Sequence, residues 1–335
     1  MREIIITENE AGQRFDKMLA KYLKEAPKSF LYKMLRKKNI VLNGKKATGN
    51  EKLQLQDSVK LFLSEETIQK FSGEELRIVD SSVQLDVIYE DHDVIFLNKP
   101  VGMLSQKAKD TDVSINEHLI SYLVKKGQIT TEELKTFRPS ICNRLDRNTS
   151  GLIVAGKSLL GLQTMNELFK NRTLEKYYLC LVKGVVTEAQ KIEGYLVKDE
   201  RTNKVQITKE KPVNAASKSD SENVNSIDVI QTEYRPLTTG KDVSLLEVHL
   251  ITGKTHQIRA HLASIGHPII GDYKYGQKNV NDLYKEKYGL KSQFLHSYRL
   301  VLPDLSDTLP AISKKEYKAE LPKLFQKICT DMGVR

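Results

Sequence analysis

The sequence predicts an α+β protein in which helices and strands are mixed along the chain, with no internal repeat. Apolar residues recur at helical spacing in residues 14–23 and 158–170, a pattern typical of amphipathic helices. Short apolar runs bounded by turn-forming residues, as in residues 40–44 and 94–98, are typical of strands. The chain has 335 residues, of which 39% are hydrophobic, and is therefore long enough to fold as two domains.

Residues 1–63 are predicted to form a small module that begins with the first of these helices. A second helix is predicted to follow Pro27, with Ser29 as its N-cap. The pair Asn43-Gly44 ends a short strand and is a strong signal for a hairpin turn. A strand at residues 58–63 is predicted to close the module.

A polar, partly acidic stretch at residues 64–84 is predicted to link this module to a second domain at residues 85–335. Residues 195–226 are polar and rich in lysine, serine and asparagine, which predicts a long hairpin or excursion. The other predicted strands of the second domain are at residues 87–89, 94–98, 152–155, 179–182, 227–233, 244–251 and 295–302. Helices are predicted at residues 113–126 and 158–170 and from residue 323 onward. Residues 252–263 are predicted to turn a strand into a helix that Gly266 terminates.

Positive charge is concentrated near the start of the chain. The formal net charge is +10, and residues 1–60 contain 14 Lys or Arg against 7 Asp or Glu, a net of +7. Lysines on a solvated helix face usually alternate with acids, yet residues 27–49 contain no acid. The distribution indicates a polyanion as the first partner to test.

The cysteines and the apolar runs argue against several protein classes. Cys142, Cys180 and Cys329 have no Cys-x-x-Cys spacing, which disfavours a disulfide framework and a sulfur-based zinc site. Acidic residues come too early for a secretory signal, and no apolar run approaches the ~20 residues that cross a bilayer. We therefore expect a cytoplasmic protein without a membrane partner.

A single carboxylate stands out in residues 143–151, where Asp146 lies between Arg144 and Arg147 just before the predicted strand at residues 152–155. The flanking guanidinium groups would favour an ionised Asp146. An ionised and positioned carboxylate can act as a nucleophile or a base. A surface Arg-Asp pair in a turn is the alternative interpretation.

Two segments resemble a phosphate-binding P-loop without meeting its requirements. Residues 151–158 fit Gly-x-x-x-x-Gly-Lys-Ser, but the four variable positions are Leu, Ile, Val and Ala, which indicate a buried strand. In the second segment, at residues 253–255, Val248 occupies the position of the required upstream glycine. We therefore expect no nucleotide cofactor.

The histidines do not form a metal-binding pattern. His256 and His261 are five residues apart, so they would not share a helix face. No glutamate follows the first of them as in helical metalloproteases, and the chain has no Gly-x-Ser-x-Gly nucleophile elbow. The sequence favours local hydrogen bonds or phosphate contacts for these side chains, and predicts no metal.

The lone carboxylate, the arginines, the tyrosines and the basic N-terminal module suit chemistry on a nucleobase. Aromatic side chains stack on bases, and arginines bind phosphate. In order and spacing, four motifs of residues 85–335 resemble those of the RluA-type RNA pseudouridine synthases. These motifs are Ile-Tyr-Glu-Asp with Val-Ile-Phe-Leu-Asn-Lys-Pro-Val-Gly at residues 88–102, Arg-Leu-Asp-Arg-Asn-Thr-Ser-Gly at residues 144–151, Arg-Thr-Leu-Glu-Lys-Tyr-Tyr at residues 172–178, and Thr-Gly-Lys-Thr-His-Gln-Ile-Arg at residues 252–259 continuing to Asp272.

The resemblance implies a role for each matching position. Asp146 would be the essential carboxylate, Tyr178 would stack on a flipped-out uracil and serve in proton transfer, and Arg259 would pair with Asp146. Arg144 would enter the RNA stack, and Ile258 would pack near the base. Arg147, Lys254 and His256 would complete the substrate contacts.

The same resemblance implies a mixed, largely antiparallel sheet and a reaction without metal or cofactor. The isomerisation breaks the N1–C1′ bond of a uridine and joins C5 to C1′. Large-subunit (23S) ribosomal RNA is the expected substrate, with transfer RNA as a second candidate.

Residues 1–63 resemble the S4-like RNA-binding domain, which presents a basic surface to structured RNA. The residues expected to contact RNA are Arg14, Lys17, Ser29, Lys33, Arg36, Lys37, Lys38 and Lys45.

The chain departs from the family pattern at two positions, with Asn143 where many members have histidine and Lys254 where many have arginine. Asn143 can still orient the loop by hydrogen bonding, whereas lysine loses the bidentate contact of arginine. Two other functions are open alternatives: a non-catalytic RNA-binding or ribosome-assembly factor on the same fold, and a P-loop nucleotidase.

Overall fold

The computed structural model describes residues 1–73, 78–80, 82–199, 204–210 and 227–334. The described chain forms one four-stranded sheet and one eleven-stranded sheet, with helices packed against both. This confirms the predicted α+β class and the mixed, largely antiparallel sheet. Parts of the predicted linker and most of the predicted excursion at residues 195–226 lie outside the described residues.

The four-stranded sheet has the order β1-β4-β2-β3, and all of its pairs are antiparallel. Asn43 and Gly44 form the turn between β2 and β3 with φ values of 50° and 71°, the conformation that an Asn-Gly hairpin turn requires. The N-terminal elements are β1 (Arg2–Ile5), α1 (Phe15–Tyr22), α2 (Lys28–Arg36), β2 (Ile40–Leu42), β3 (Lys45–Lys46), β4 (Ser58–Leu61) and α3 (Glu65–Ser72).

The prediction that Ser29 caps α2 is wrong. The helix begins at Lys28, with Pro27 as its N-cap residue (φ −58°, ψ 144°) and no side-chain cap. The fixed φ of proline sets the start of the helix, and this places Ser29 inside the first turn, where it is exposed.

The start of the predicted linker is helical. Ser64 caps α3 by accepting a hydrogen bond from the Thr67 N–H, and Ile68 is buried in the same apolar cluster as α1 and α2. Only Ile68 and Phe71 carry this contact. Two apolar residues are too few to give a clear helical period in a polar segment.

The eleven-stranded sheet has the order β11-β10-β12-β13-β9-β14-β8-β6-β5, with β15 paired to β14 and β7 to β8. Among the described strand pairs only β8 and β14 run parallel. Its elements are β5 (Val87–Glu90), β6 (Val94–Lys99), α4 (Ile115–Lys125), β7 (Ser140–Ile141), β8 (Ser150–Gly156), α5 (Leu159–Asn171), β9 (Glu175–Lys183), β10 (Gln190–Asp199), β11 (Lys204–Thr208), β12 (Ile227–Thr239), β13 (Val243–Leu250), α6 (Gln257–Ser264), α7 (Lys278–Tyr288), β14 (Leu295–Val301), β15 (Glu316–Lys318) and α8 (Lys323–Asp331).

Both faces of this sheet are covered at its centre, which explains the continuous apolar runs in its strands. Along β6, Ile95 and Leu97 face one apolar cluster, whereas Val94 and Phe96 face the other. Such alternation follows from the two-residue period of a strand. The strands therefore form a rigid platform for the loops at their ends.

A buried hydrogen bond joins the connection between β1 and α1 to the connection between α4 and β7. The Thr136 hydroxyl donates to Glu10 Oε1 at 2.6 Å, and both residues are buried. In the described part of the chain, no helix is long and apolar enough to cross a membrane.

Candidate active site

A cleft of about 840 Å³ opens at the edge of the large sheet, between the loop at residues 143–149, the junction of α5 with β9, and the turn from β13 into α6. Among the described residues that line this cleft there are one carboxylate, Asp146, and seven Lys or Arg. Such an excess of positive charge favours an anionic ligand. The basic residues are Arg144, Arg147, Lys170, Arg172, Lys176, Lys254 and Arg259.

Lys99 holds the loop that carries Asp146 in place through hydrogen bonds to backbone carbonyls. This lysine is fully buried, and its Nζ donates hydrogen bonds to the carbonyls of Pro100 (2.9 Å), Met103 (2.9 Å) and Arg147 (3.1 Å). Burial lowers the pKa of Lys99 to about 8, and the nearby Asp146 charge opposes this shift. Lys99 thus joins the end of β6 to the residue that follows Asp146.

Two more side chains fix the same loop. Asn143 donates to the Leu152 carbonyl (3.2 Å) and accepts from the Val154 N–H (2.8 Å), so an asparagine at this position does orient the loop. The buried Ser105 hydroxyl bonds the backbone of Leu145 on both sides, accepting from its N–H and donating to its carbonyl.

Arg259 holds the Asp146 carboxylate from α6. Its Nη1 donates to Asp146 Oδ2 at 3.0 Å, while its Nε and Nη2 donate to the two oxygens of Asp272 at 2.7 and 2.9 Å. The Asp272 side chain is fully buried, and that of Asp146 is 30% exposed. Asp272 therefore fixes the guanidinium plane, and one guanidinium arm remains for the exposed carboxylate.

The two arginines that flank Asp146 in the sequence do not form its ion pair. Arg147 turns its Nε to the Gly102 carbonyl (3.0 Å), and Arg144 is exposed at the cleft. The ion pair comes instead from Arg259, because successive residues of a tight loop point apart whereas α6 faces the loop across the cleft.

His256 approaches the same carboxylate. Its Nε2 lies 3.8 Å from Asp146 Oδ2, and its Nδ1 lies 3.0 Å from the Tyr275 hydroxyl. That hydroxyl accepts the Val205 N–H of β11 at 3.0 Å, so its own proton is free to be donated to Nδ1. Burial lowers the pKa of His256, although the Asp146 charge acts against the shift.

Tyr178 lies on the floor of the cleft, buried on β9. Burial raises its pKa to about 12; the Asp146 charge adds to this, and a hydrogen bond with Ser297 opposes it. The phenol is therefore protonated at neutral pH and can act as a hydrogen-bond donor. Tyr177 points to the other face, where its ring stacks on His249 at 4.8 Å.

The remaining predicted substrate contacts also line the cleft. Ile258 is buried beside Arg259, at the start of α6. Lys254 forms an ion pair with Asp228 at 2.6 Å, so part of its charge is already neutralised. The structure thus brings together residues that the sequence separates by more than a hundred positions.

The residues predicted to contact RNA from the N-terminal module are all exposed. Arg14 makes two hydrogen bonds to Asp16 and one to Asn50, which engages much of its guanidinium. Seven exposed Lys or Arg of this module form no ion pair with a carboxylate of the described residues, and we call them the basic surface. The basic surface consists of Lys28, Lys33, Arg36, Lys37, Lys38, Lys45 and Lys46.

The segments that resemble nucleotide or metal sites have other structures. Residues 152–155 lie in β8 and are buried, and Lys157 pairs with Glu90 at 2.7 Å. This confirms the predicted strand in place of a P-loop. The described residues contain no group of three or more His, Cys, Asp or Glu arranged to hold a metal ion.

Three residues of the site were not predicted from the sequence: Lys99, Asp272 and Tyr275. Lys99 and Asp272 each stand in an apolar run, where a charged residue needs a partner if it is buried. That signal was available. No sequence signal indicates the contact of Tyr275 with β11, because this contact depends on the tertiary fold.

The chain is similar to known RNA pseudouridine synthases. The family model described as RNA pseudouridylate synthase matches residues 93–264. An uncharacterized RNA pseudouridine synthase of Mycoplasma genitalium is 29% identical over 331 residues, covering 97% of both chains. The ribosomal large subunit pseudouridine synthase C of Vibrio vulnificus is 29% identical over 97% of this chain and 96% of its own, and that of Buchnera aphidicola is 31% identical over 87% and 86%.

Two solved structures share the fold. Human RNA Pseudouridylate Synthase Domain Containing 4 aligns with a TM-score of 0.56 at 22% identity, covering 74% of this chain and 93% of its own. Human RNA Pseudouridylate Synthase Domain Containing 1 aligns with a TM-score of 0.51 at 19% identity, covering 76% and 97%.

Proposed function

The chain belongs to the RNA pseudouridylate synthase family and is a pseudouridine synthase, and we propose that it isomerises a uridine of large-subunit (23S) ribosomal RNA, with Asp146 as the catalytic carboxylate. The observation that carries the assignment to Asp146 is its arrangement in the cleft. Arg259 occupies Oδ2, whereas Oδ1 accepts no hydrogen bond from any described residue. A carboxylate held by one oxygen leaves the other aimed at a substrate.

The reaction exchanges one bond of the uridine for another. The N1–C1′ bond breaks, the uracil rotates, and C5 bonds to C1′; the proton on C5 is lost and N1 gains one. Asp146 would act on the sugar or the base by attack at C1′, addition at C6, or removal of a C2′ proton. All three need the fixed carboxylate that Arg259 and Asp272 provide.

Tyr178 would act as a platform and a donor. Its ring lies in the cleft with Asp146, where an extruded uracil can stack on it. With a pKa near 12 the phenol keeps its proton at neutral pH. It therefore suits the delivery of a proton or a hydrogen bond better than the removal of the C5 proton.

The cleft would receive the target nucleotide flipped out of the RNA. Arg144 is exposed at the mouth, where it can enter the vacated stack, and Ile258 offers an apolar wall near the base. Arg147, Lys254 and His256 would contact the backbone. The uncompensated charge of the basic surface supports RNA binding by the S4-like module at residues 1–63, in a cytoplasmic enzyme.

The activity is tested by tritium release from RNA labelled at uracil C5. Ribosomal RNA from cells that lack this protein is the substrate, and wild type and Asp146→Asn are compared. We expect release from the wild type and a rate at least about 10⁴-fold lower for Asp146→Asn, because a neutral amide cannot act as the nucleophile or base that the carboxylate provides. Labelled transfer RNA tests the second substrate.

Release by both proteins would mean that Asp146 is not the catalytic residue. Tight RNA binding without release by either would favour a ribosome-assembly factor. Release from transfer RNA alone would overturn the ribosomal assignment and leave the chemistry in place.

A further inference from the structure

Lys176 lies in the cleft on the same face of β9 as Tyr178. Alternate residues of a strand point to one face, so the two side chains are neighbours about 7 Å apart along the strand. Both line the cleft that holds Asp146. Lys176 therefore stands one step outward from the position proposed for the uracil ring.

The amino group of Lys176 is directed toward the turn between β13 and α6. A Cβ atom built on Gly253 would lie only 3.6 Å from Nζ, so the amino group lies close to a backbone that carries no side chain. Both residues line the cleft, so a ligand that enters it can reach the Lys176 amino group and the Gly253 turn together.

Arg172 stands beside Lys176 at the end of α5. It adopts a left-handed conformation (φ 59°, ψ 35°) as the C-cap of the helix, is exposed, and lines the same cleft. The connection between α5 and β9 thus places two cations, Arg172 and Lys176, on the same side of the cleft.

Neither cation has an acidic partner. Over the residues that the structure describes, no carboxylate forms an ion pair with Lys176 or Arg172. Burial lowers the pKa of Lys176, and the neighbouring Arg172 charge lowers it further. Lys254, across the cleft, differs because Asp228 neutralises it. Burial and a neighbouring cation both make the charged form of a lysine less favourable, and a bound anion would offset this destabilisation.

We propose that Lys176 and Arg172 form a phosphate subsite, which binds a backbone phosphate of the RNA next to the nucleotide whose uracil stacks on Tyr178. This inference rests on the proposed function and adds a binding role for two residues. The phosphate would sit in the cleft against the Lys176 amino group and beside the Gly253 turn, with the Arg172 guanidinium on its outer side. It would thereby fix the nucleotide at a second point, away from the reacting atoms.

The test compares Lys176→Met, Arg172→Asn and Lys176→Arg with wild type. Methionine keeps the length and apolar stem of lysine without its charge, and asparagine suits the left-handed backbone at residue 172. Lys285→Met, on the exposed face of α7 outside the cleft, is the matched control. The substrate is 23S rRNA labelled at uracil C5, from cells that lack this protein.

We expect Lys176→Met and Arg172→Asn each to raise the half-saturating RNA concentration by about 10-fold, with less than about a 3-fold change in the maximal single-turnover rate. The slope of log affinity against log salt concentration should fall by about one for each lost cation. Lys176→Arg should restore most of the affinity, and Lys285→Met should match the wild type.

Unchanged affinity and salt slope in both variants would overturn the subsite. So would a lower maximal rate at unchanged affinity, which would place Lys176 among groups that position the catalytic residues. If Lys176→Met did not fold, Arg172→Asn at the exposed helix end would decide alone. If the wild type released no tritium but the variants still lost affinity and salt slope, the proposed function would fail while the subsite stood.

Discussion

Asp146 takes its orientation from residues that lie far from it in the sequence. Arg259 reaches it from α6, and Asp272 holds Arg259 from a turn further along the chain. Removing Asp272 would leave a buried guanidinium with one partner fewer. The geometry at the carboxylate is therefore a property of three segments together.

Lys99 is expected to matter for the rate more than for RNA binding. In Lys99→Met, the carbonyls of Pro100 and Met103 lose this donor, and the Arg147 carbonyl keeps only the Gly102 N–H. The loop would then hold Asp146 less firmly, and a small displacement is enough to lower the maximal rate on the order of 10–100-fold. Single-turnover tritium release measures this effect, and an unaltered rate would contradict the positioning role.

The same variant gives a pH signature. The pKa of Lys99 is about 8 in the folded protein and about 10.5 when unperturbed, so between these values the unfolded chain binds more protons. Stability from this group therefore rises with pH across that window. Urea unfolding of wild type and Lys99→Met at pH 7.5 to 10 should show the wild type gaining stability relative to the variant, and a constant difference would contradict the buried charge.

At the residue scale, sequence patterns identify a site better than they identify its geometry. Asp146 is conspicuous as a lone carboxylate between arginines, but its ion-pair partner is neither neighbour. Family resemblance suggested Arg259, whereas local chemistry could not, because the pairing depends on how α6 packs. The position of Lys99 in an apolar run indicates that its charge needs a partner, but the sequence does not reveal that backbone carbonyls supply it.

The parallel pairing of β8 with β14 fixes the strand that follows the catalytic loop. Gly151 has φ 111°, and a Cβ built on it would lie 2.0 Å from the Ser297 carbonyl oxygen. No L-residue can occupy this position without separating the strands. The close approach ties the loop to a strand near the end of the chain.

Gly151→Ala should destabilise the protein by about 3 kcal/mol or more, through strain and overpacking together. Gly127→Ala is the matched control, since Gly127 also has positive φ (67°) but nothing within 4 Å of its Cβ position. The control should lose only about 1 kcal/mol. Urea midpoints measure both effects, and equal losses would refute the steric argument.

Elements with strong periodicity were predicted well, and sparse or short ones were not. The helices at α1, α4 and α5 and the strands at β6, β8 and β9 match their predictions, because buried faces impose the 3.6- and 2-residue periods. The elements that were not predicted are β1, β7, β10, β15, α3 and α7. In α3 and α7 few side chains are buried, so the tertiary fold stabilises these helices more than their own pattern does.

At the scale of the whole molecule, the positive charge forms two separate groups. One lines the cleft, and the other is the basic surface of the N-terminal module. The cleft would hold the target nucleotide, while the basic surface would add affinity for other parts of the RNA. The two contributions can be separated by experiment.

Replacing Lys37, Lys38, Lys45 and Lys46 by glutamine should weaken RNA binding and lower its salt slope by roughly 3, because each phosphate contact releases counterions. The maximal rate at saturating RNA should stay near the wild-type value. Binding over a salt series measures this, with four exposed lysines outside the module as the control: Lys278, Lys285, Lys287 and Lys291. Equal effects of the two sets would mean that the module contributes only general charge.

The partnership of β8 with β14 also orders events during synthesis. Asp146 and its loop leave the ribosome well before Arg259, Asp272 and the strand at residues 295–301 that completes their support. Among the described strands, those of the N-terminal module pair only with one another, so its sheet does not depend on the late segments. If the module binds RNA as proposed, a nascent chain would bind RNA before it could modify it, because the catalytic site is complete only once most of the polypeptide has emerged.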